Sequence, residues 1–175
     1  MAFVLDVDGV MTDGRSYYSE DGKVMKVFGP DDHDALRLLE PMLEIHFVSA
    51  DRRGLPISRA RIERDMGFPL ELVAADERLA WIAARWAPER VIYMGDGFYD
   101  RFVLEGVGYG ISVCDADADA RAAADFVTTR GGGDRAVAEA CKHVLDRFFG
   151  GCEAHIGRFA RGMTGRSGRS GHDAA

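Results

Sequence analysis

Several features that a chain of this length could carry are missing. Across 175 residues no apolar run approaches the ~18 needed to cross a bilayer, and no basic segment followed by a secretory apolar stretch opens the sequence. A soluble, cytoplasmic protein is expected. Positive charge is short: the net charge is -7, and the four Arg of the last 25 residues, set against Glu153 and Asp173, leave residues 1–150 at -9. An acidic body argues against a nucleic-acid partner. It does not exclude an anionic substrate, because a divalent cation held by gathered carboxylates inverts the local field. Cysteine is sparse, and Cys114, Cys141 and Cys152 are odd in number without close ligand spacing, which suits ordinary thiols in a reducing compartment. Length alone calls for one core and no second full domain, and no internal repeat is evident.

What is present is an alternation. Short apolar runs recur as AFVL near the start, IHFVSA at 45–50, LELVAA at 70–75, RVIYMGD at 90–96 and YGISVC at 109–114, each reading as a buried strand. Between them lie helical patterns: Ala35, Leu38, Leu39 and Met42; Leu55, Ile62 and Met66, closed by Gly67; Leu79, Ile82, Ala83 and Trp86. DADADARAAA at 115–124 predicts a short helix, ADFVTT a last strand, and a stripe of Val137, Cys141, Val144, Leu145 and Phe148 a final helix from about Asp134 to Phe149. Such an order predicts an α/β fold, a Rossmann-like parallel sheet with helices on both faces, whose ligands sit beyond the carboxyl ends of the strands.

One segment interrupts the order. From Arg15 to Phe28, β-rich arms flank the pair Asp21-Gly22 and predict a hairpin projecting from the sheet. After Gly150 the composition turns to Gly, Arg and Ser without apolar period, so residues 151–175 are expected to be a mobile tail to a domain of residues 1–150.

The opening stretch VLDVDGVMTDG ends an apolar run in acids one residue apart, Asp6 and Asp8. Alone, such a pair is best explained by turn acids satisfying backbone amides. The balance changes because MGDGFYD places Asp96 and Asp100 at a second strand end, FVSAD places Ser49 and Asp51 at a third, and Arg78 opens a helix. Carboxylates converging from separate strand ends repel one another unless a hard cation joins them, and oxygen-only ligands favour magnesium.

These motifs, D-x-D-G-V-x-T-D-G at 6–14, the Ser of FVSA and G-D-x-x-x-D at 95–100, resemble those of the haloacid dehalogenase superfamily. YYSEDGKVMKVF and RGGGDRAVAEACKHVL extend the likeness to the capless branch that contains the 3-deoxy-manno-octulosonate 8-phosphate and nonulosonate phosphatases, over roughly residues 3–149. The resemblance implies a Mg2+-dependent phosphomonoesterase for a phosphorylated sugar or sugar acid, working through an aspartyl-phosphate. It makes Asp6 the nucleophile and Asp8 the acid and base. It also gives the metal the Asp6 carboxylate, the Asp8 backbone carbonyl and the Asp96 carboxylate. Ser49 and Arg78 would bind phosphate, and Asp100 would orient Arg78 or a metal-bound water. Hairpins of this kind bring protomers of that family together as a homotetramer in which a neighbour helps cover each site.

The departures from the family are equally specific. Arg78 stands where Lys is usual, Asp51 where the octulosonate enzymes present Arg, and GPDDHDAL replaces a V-R-D-G pattern, with Asp31 at the usual Arg and His33 at the usual Gly. Asp51 is expected beside the leaving group as a specificity residue that repels a sugar carboxylate. His33 reads as a solvated cap, His46 as a packing residue, and Trp81 and Trp86 as core or interface. Two alternatives stay open: a phosphatase of another small phosphomonoester, and a non-catalytic oligomeric scaffold that retains the fold.

Overall fold

A computed structural model describes residues 1–157; residues 158–175, which hold the four Arg of the expected tail, lie outside the described residues. Six parallel strands form one sheet in the order β5-β4-β1-β6-β7-β8. The strands are β1 (Ala2–Asp6), β4 (Glu44–Ser49), β5 (Leu70–Leu72), β6 (Val91–Gly95), β7 (Tyr109–Ser112) and β8 (Phe126–Val127). All five residues of both β1 and β6 are buried, because helices cover the two faces and no side of these central strands meets water. The edge strands β5 and β8 are only three and two residues long, which leaves little open backbone for a stray strand to pair with.

The sequence stripes bury as expected. In α1 (Asp32–Leu39) Leu36 and Leu39 face the core, and in α6 (Ala136–Phe148) Val137, Cys141, Val144 and Leu145 do. The two helices are joined by Asp32, whose buried Oδ1 accepts from Ala138 N at 2.9 Å and so satisfies a free amide in the first turn of α6. Further helices are α2 (Leu55–Arg59), α3 (Arg78–Ala83), α4 (Asp100–Gly106) and α5 (Ala118–Ala123).

Three local differences from the sequence expectation have physical causes. The helix expected through Leu55, Ile62 and Met66 widens into a π-helical turn over Ala60–Asp65, with Met66 N bonding back to Arg61 O; this keeps Ile62 and Met66 both buried before Gly67 turns at φ 80°. His33 is no solvated cap: it lies within α1, half-buried and edge-on to Phe68, with Nε2 buried and unpartnered among the described residues. After Gly150 and Gly151, both at positive φ, residues 152–157 are helical and Cys152 is buried against the core, so the ordered chain continues past the expected boundary.

The strand order fixes where a ligand can sit. From β1 the chain builds outward through β4 and β5, then returns to the other side of β1 for β6, β7 and β8. Connections therefore diverge on either side of β1, and the crevice beyond its carboxyl end, between β4 and β6, is the switch point at which such sheets bind ligands. A separate antiparallel pair, β2 (Tyr17–Ser19) and β3 (Gly22–Met25), forms the expected hairpin flap. Thr12 bridges to Phe28 at its base. No cap domain is inserted among the described residues. Among them, too, no helix is long and apolar enough to cross a membrane.

Candidate active site

Asp6, Asp8, Asp51, Asp96 and Asp100 all fall at this switch point, in two groups, whereas Asp31 pairs at the surface with Arg135. The first forms where β1, β6, α3 and α4 meet. Arg78, the first residue of α3 and only 4% exposed, grips Asp6 with both arms of its guanidinium: Nη1 donates to Oδ2 at 2.8 Å and Nη2 to Oδ1 at 3.0 Å. Oδ1 of Asp6 also accepts from Val7 N at 2.7 Å. The same Nη1 donates to Asp100 Oδ1 at 2.6 Å and to the Tyr93 hydroxyl at 2.9 Å. Arg for Lys thus matters geometrically, since the planar fork binds one carboxylate bidentately while reaching a second.

Asp100 is saturated. Its Oδ1 accepts from Arg78 and Tyr93, and its Oδ2 from the backbone amides of Asp96 and Gly97 at 3.1 and 2.8 Å. It therefore holds the loop carrying Asp96 and, at the same time, orients Arg78. The Asp96 carboxylate accepts no hydrogen bond from another residue among those described, and it closes so tightly on the β1 loop that a side chain at Gly9, itself at φ 86°, would run into it. On the far side of that loop Gly132 packs against the Gly9 backbone with no room for a Cβ.

Asp6, Asp96 and Asp100 each offer an oxygen within 4.8 Å of the others. Two buried carboxylates, Asp6 and Asp100, share one guanidinium with the half-buried Asp96 beside them, and the crowding shows in the protonation of Asp6 and Asp96. Burial pushes Asp6 up to about 7, with Arg78 opposing and Asp100 adding to the rise. Burial, reinforced by Asp6 and Asp100, pushes Asp96 up to about 8. Arg78 stays charged, because Tyr93, Asp6 and Asp100 overcome the opposing effect of burial. Excess negative charge among oxygen-only donors fits a hard divalent cation.

The second group gathers under the hairpin. Asp8 does not join the three carboxylates. Its side chain turns to Lys26, whose ammonium lies 2.6 Å from Asp8 Oδ1 and 2.9 Å from Oδ2, while the buried Ser49 hydroxyl donates to Oδ2 at 3.2 Å. Lys26 also contacts Asp51 Oδ2 at 2.9 Å and Ser58 Oγ at 3.0 Å. Asp51 accepts in addition from Lys23 and from Gly54 N. Burial would raise the Asp51 carboxyl, but these donors outweigh it and hold the group well below the usual carboxylate range. Asp51 therefore presents a compensated charge, and the repulsion expected of a bare acid beside the leaving group is offset by two lysines.

The sequence expectation missed Lys26, Lys23, Ser58 and Tyr93. The available signal was VMKVF itself, a lone cation inside an apolar run, close in sequence to an excess of acids.

Comparison with known proteins bears on this geometry. Residues 79–140 match the haloacid dehalogenase-like hydrolase family. The chain is 33% identical over 147 residues to 3-deoxy-D-manno-octulosonate 8-phosphate phosphatase of Salmonella typhi, covering 81% of this chain and 77% of the relative. The chain belongs to the haloacid dehalogenase-like hydrolases. It is a phosphatase of that family. Among its solved relatives, the Moraxella catarrhalis octulosonate 8-phosphate phosphatase, crystallised with a magnesium ion, a phosphate ion and a KDO molecule, superposes with a TM-score of 0.75 at 26% identity, over 90% of this chain and 92% of that one. The cobalt-bound Haemophilus influenzae enzyme gives 0.73 at 27% identity, over 82% and 86%.

Proposed function

We propose that this haloacid dehalogenase-like phosphatase is a magnesium-dependent phosphomonoesterase acting on a phosphorylated sugar or sugar acid through an aspartyl-phosphate on Asp6. The observation that carries this reading is the division of labour at the end of β1. Asp6 is buried among acids and gripped by Arg78, while Asp8, two residues on, is held apart from them by Lys26 and Ser49.

A carboxylate oxygen of Asp6 attacks phosphorus, and the bond from phosphorus to the ester oxygen breaks. Asp8, protonated, gives its proton to the departing alkoxide, which leaves as the alcohol. Asp8, now a carboxylate, takes a proton from water as the water oxygen attacks the same phosphorus. The bond to Asp6 then breaks, releasing phosphate and restoring both acids. Arg78, which grips Asp6, would stabilise charge on the transferring oxygens, and Ser49, which donates to Asp8, would do the same. Asp100 fixes Arg78 and the Asp96 loop through its four hydrogen bonds.

Asp6 and Asp96, together with the Asp8 backbone carbonyl, would hold magnesium. When bound, it would neutralise carboxylate and phosphate oxygens so that two anions can meet. Support for the substrate class comes from the octulosonate phosphatases to which the chain is similar. The test is a phosphate-release screen over sugar phosphates, sugar-acid phosphates and unrelated phosphomonoesters, with and without magnesium. Magnesium-dependent release confined to sugar and sugar-acid phosphates is expected; release of equal rate from every ester, or without metal, would defeat the proposal.

A further inference from the structure

The flap is built against the usual pattern. Val24, Met25 and Val27 are 53%, 51% and 52% exposed, whereas the lysine among them is 6% exposed and its side chain meets no solvent. A lysine on a projecting ribbon ordinarily snorkels its ammonium to water. Burying that charge costs several kcal/mol unless anions and hydrogen bonds compensate it. Here the compensation is complete: Asp8 receives Lys26 on both oxygens, and Asp51 and Ser58 take the remaining directions.

We propose that Lys26 is a positioning residue for the reaction: its buried ammonium pins the Asp8 carboxylate, and Asp51 in turn pins Lys26, making the flap part of the active site. This deepens the reading above and rests on Asp8 as the group that serves the leaving alcohol and the water. Without Lys26, the Asp8 carboxylate keeps Ser49 as its sole hydrogen-bond partner among the described residues, at 3.2 Å, and is free to turn about two torsions.

The support beneath Lys26 is as specific as the contact above it. Asp51 Oδ1 is held by Gly54 N at 3.0 Å, and the Asp51 amide donates to Ser49 Oγ at 3.1 Å, so one short segment carries both Ser49, which bonds Asp8 directly, and Asp51, which anchors Lys26. Gly54, just before α2, is where a side chain would strike both the Asp51 carboxylate and the Lys26 stem. Lys23, one residue inside β3, ties the flap to Asp51 a second time. With both oxygens engaged, Asp51 acts through Lys26 rather than by touching a leaving group. Its loss is therefore expected to slow all substrates alike.

Lys26→Met keeps the length of the stem and removes the charge. With 4-nitrophenyl phosphate, whose leaving group needs no proton, the variant is expected to lose about 100-fold in kcat, the scale of a misplaced catalytic group, with KM not raised. Because attack by Asp6 is spared and hydrolysis slowed, stopped-flow mixing should show a burst of about one nitrophenolate per site, shared with Asp8→Asn and absent from wild type. A folded Lys26→Met enzyme with wild-type kcat, or with kcat lowered and no burst, overturns the proposal. Asp51→Asn decides if Lys26→Met does not fold. A kcat lowered by a common factor across sugar phosphates and 4-nitrophenyl phosphate supports the pinning role, whereas unchanged kcat or altered preference among them overturns it. Turnover surviving in Asp6→Asn would instead defeat the covalent mechanism itself, so the two failures are distinct.

Discussion

Asp6 and Asp8 leave the same strand two residues apart and enter opposite electrostatic settings. Around Asp6, three carboxylates face one guanidinium, the Asp6, Asp100 and Arg78 side chains are 2–8% exposed with Asp96 half-buried beside them, and burial raises Asp6 and Asp96 far above an ordinary carboxyl. Around Asp8, two carboxylates face two lysines, and Asp8 itself is 26% exposed. The first cluster is short of positive charge and fits a divalent cation. The second is balanced by the protein's own residues and needs none. Like charges packed without compensation are costly, so the imbalance points to what binds, whereas the balanced set holds geometry.

Breaking the acid-rich side should have the largest effect. Asp6→Asn is expected to abolish phosphate release while circular dichroism stays unchanged, since an amide is nearly isosteric with a carboxylate but a poor nucleophile. Stripping the metal should come next, with magnesium restoring activity and calcium, which prefers more ligands at longer distances, restoring it poorly. Asp96→Ala should mimic stripping, because no other residue among those described claims its carboxylate. Full activity in metal-free protein would mean that the crowded carboxylates do not serve a cation. On the balanced side, Asp8→Asn should slow turnover by about 100-fold or more without abolishing magnesium binding measured by calorimetry.

A smaller effect tests the flap's outer face. Tyr17, Tyr18, Val24, Met25 and Val27 are all more than half exposed, more apolar surface than a two-stranded ribbon comfortably shows to water. Light scattering is expected to report about four chains per particle, as in closed symmetric assemblies, and Tyr18→Glu with Val27→Glu to split it and weaken activity. A fully active monomer would confine the flap's role to its inward lysines.

The smallest effect concerns pH and stability. Asp6 and Asp96 hold their protons to about 7 and 8 in the folded, metal-free chain, against 3.8 ordinarily, so the folded state binds more protons than the unfolded one across that window. Stability should therefore fall as pH rises from about 5 to 8, and the gain in Tm from added magnesium should grow with pH by a few degrees, since about 1 kcal/mol moves a domain of this size by about 2–4 °C. A magnesium effect on Tm equal at pH 6 and pH 8 would count against these two acids as its ligands.

How much of this was legible depended on periodicity. Strands at Ala2–Asp6, Glu44–Ser49 and Val91–Gly95 follow from apolar runs cut short by polar residues, and because parallel strands end on one side, their terminal acids could be placed together before any coordinates. What pattern could not show was direction. Lys26 lies in an alternating, apparently solvent-facing ribbon, and its inward course depends on how the flap folds over the sheet. His33 and Asp32 were hidden for the converse reason: polar letters at a helix start read as surface until α6 packs across Asp32 and Phe68 meets the His33 ring. The π-helical turn at Ala60–Asp65 carries no sequence mark distinct from an ordinary helix. Gly150 and Gly151 read as the end of order, but Cys152 beyond them returns to the core.

The most direct test of the covalent mechanism is to catch the phosphorylated enzyme. Asp8→Asn protein, mixed with magnesium and a turned-over sugar phosphate and quenched in acid, should carry phosphate on the peptide containing Asp6, and the label should vanish in the Asp6→Asn, Asp8→Asn double variant. Phosphate on another residue, or turnover with no labelled Asp6 peptide at any quench time, would contradict it.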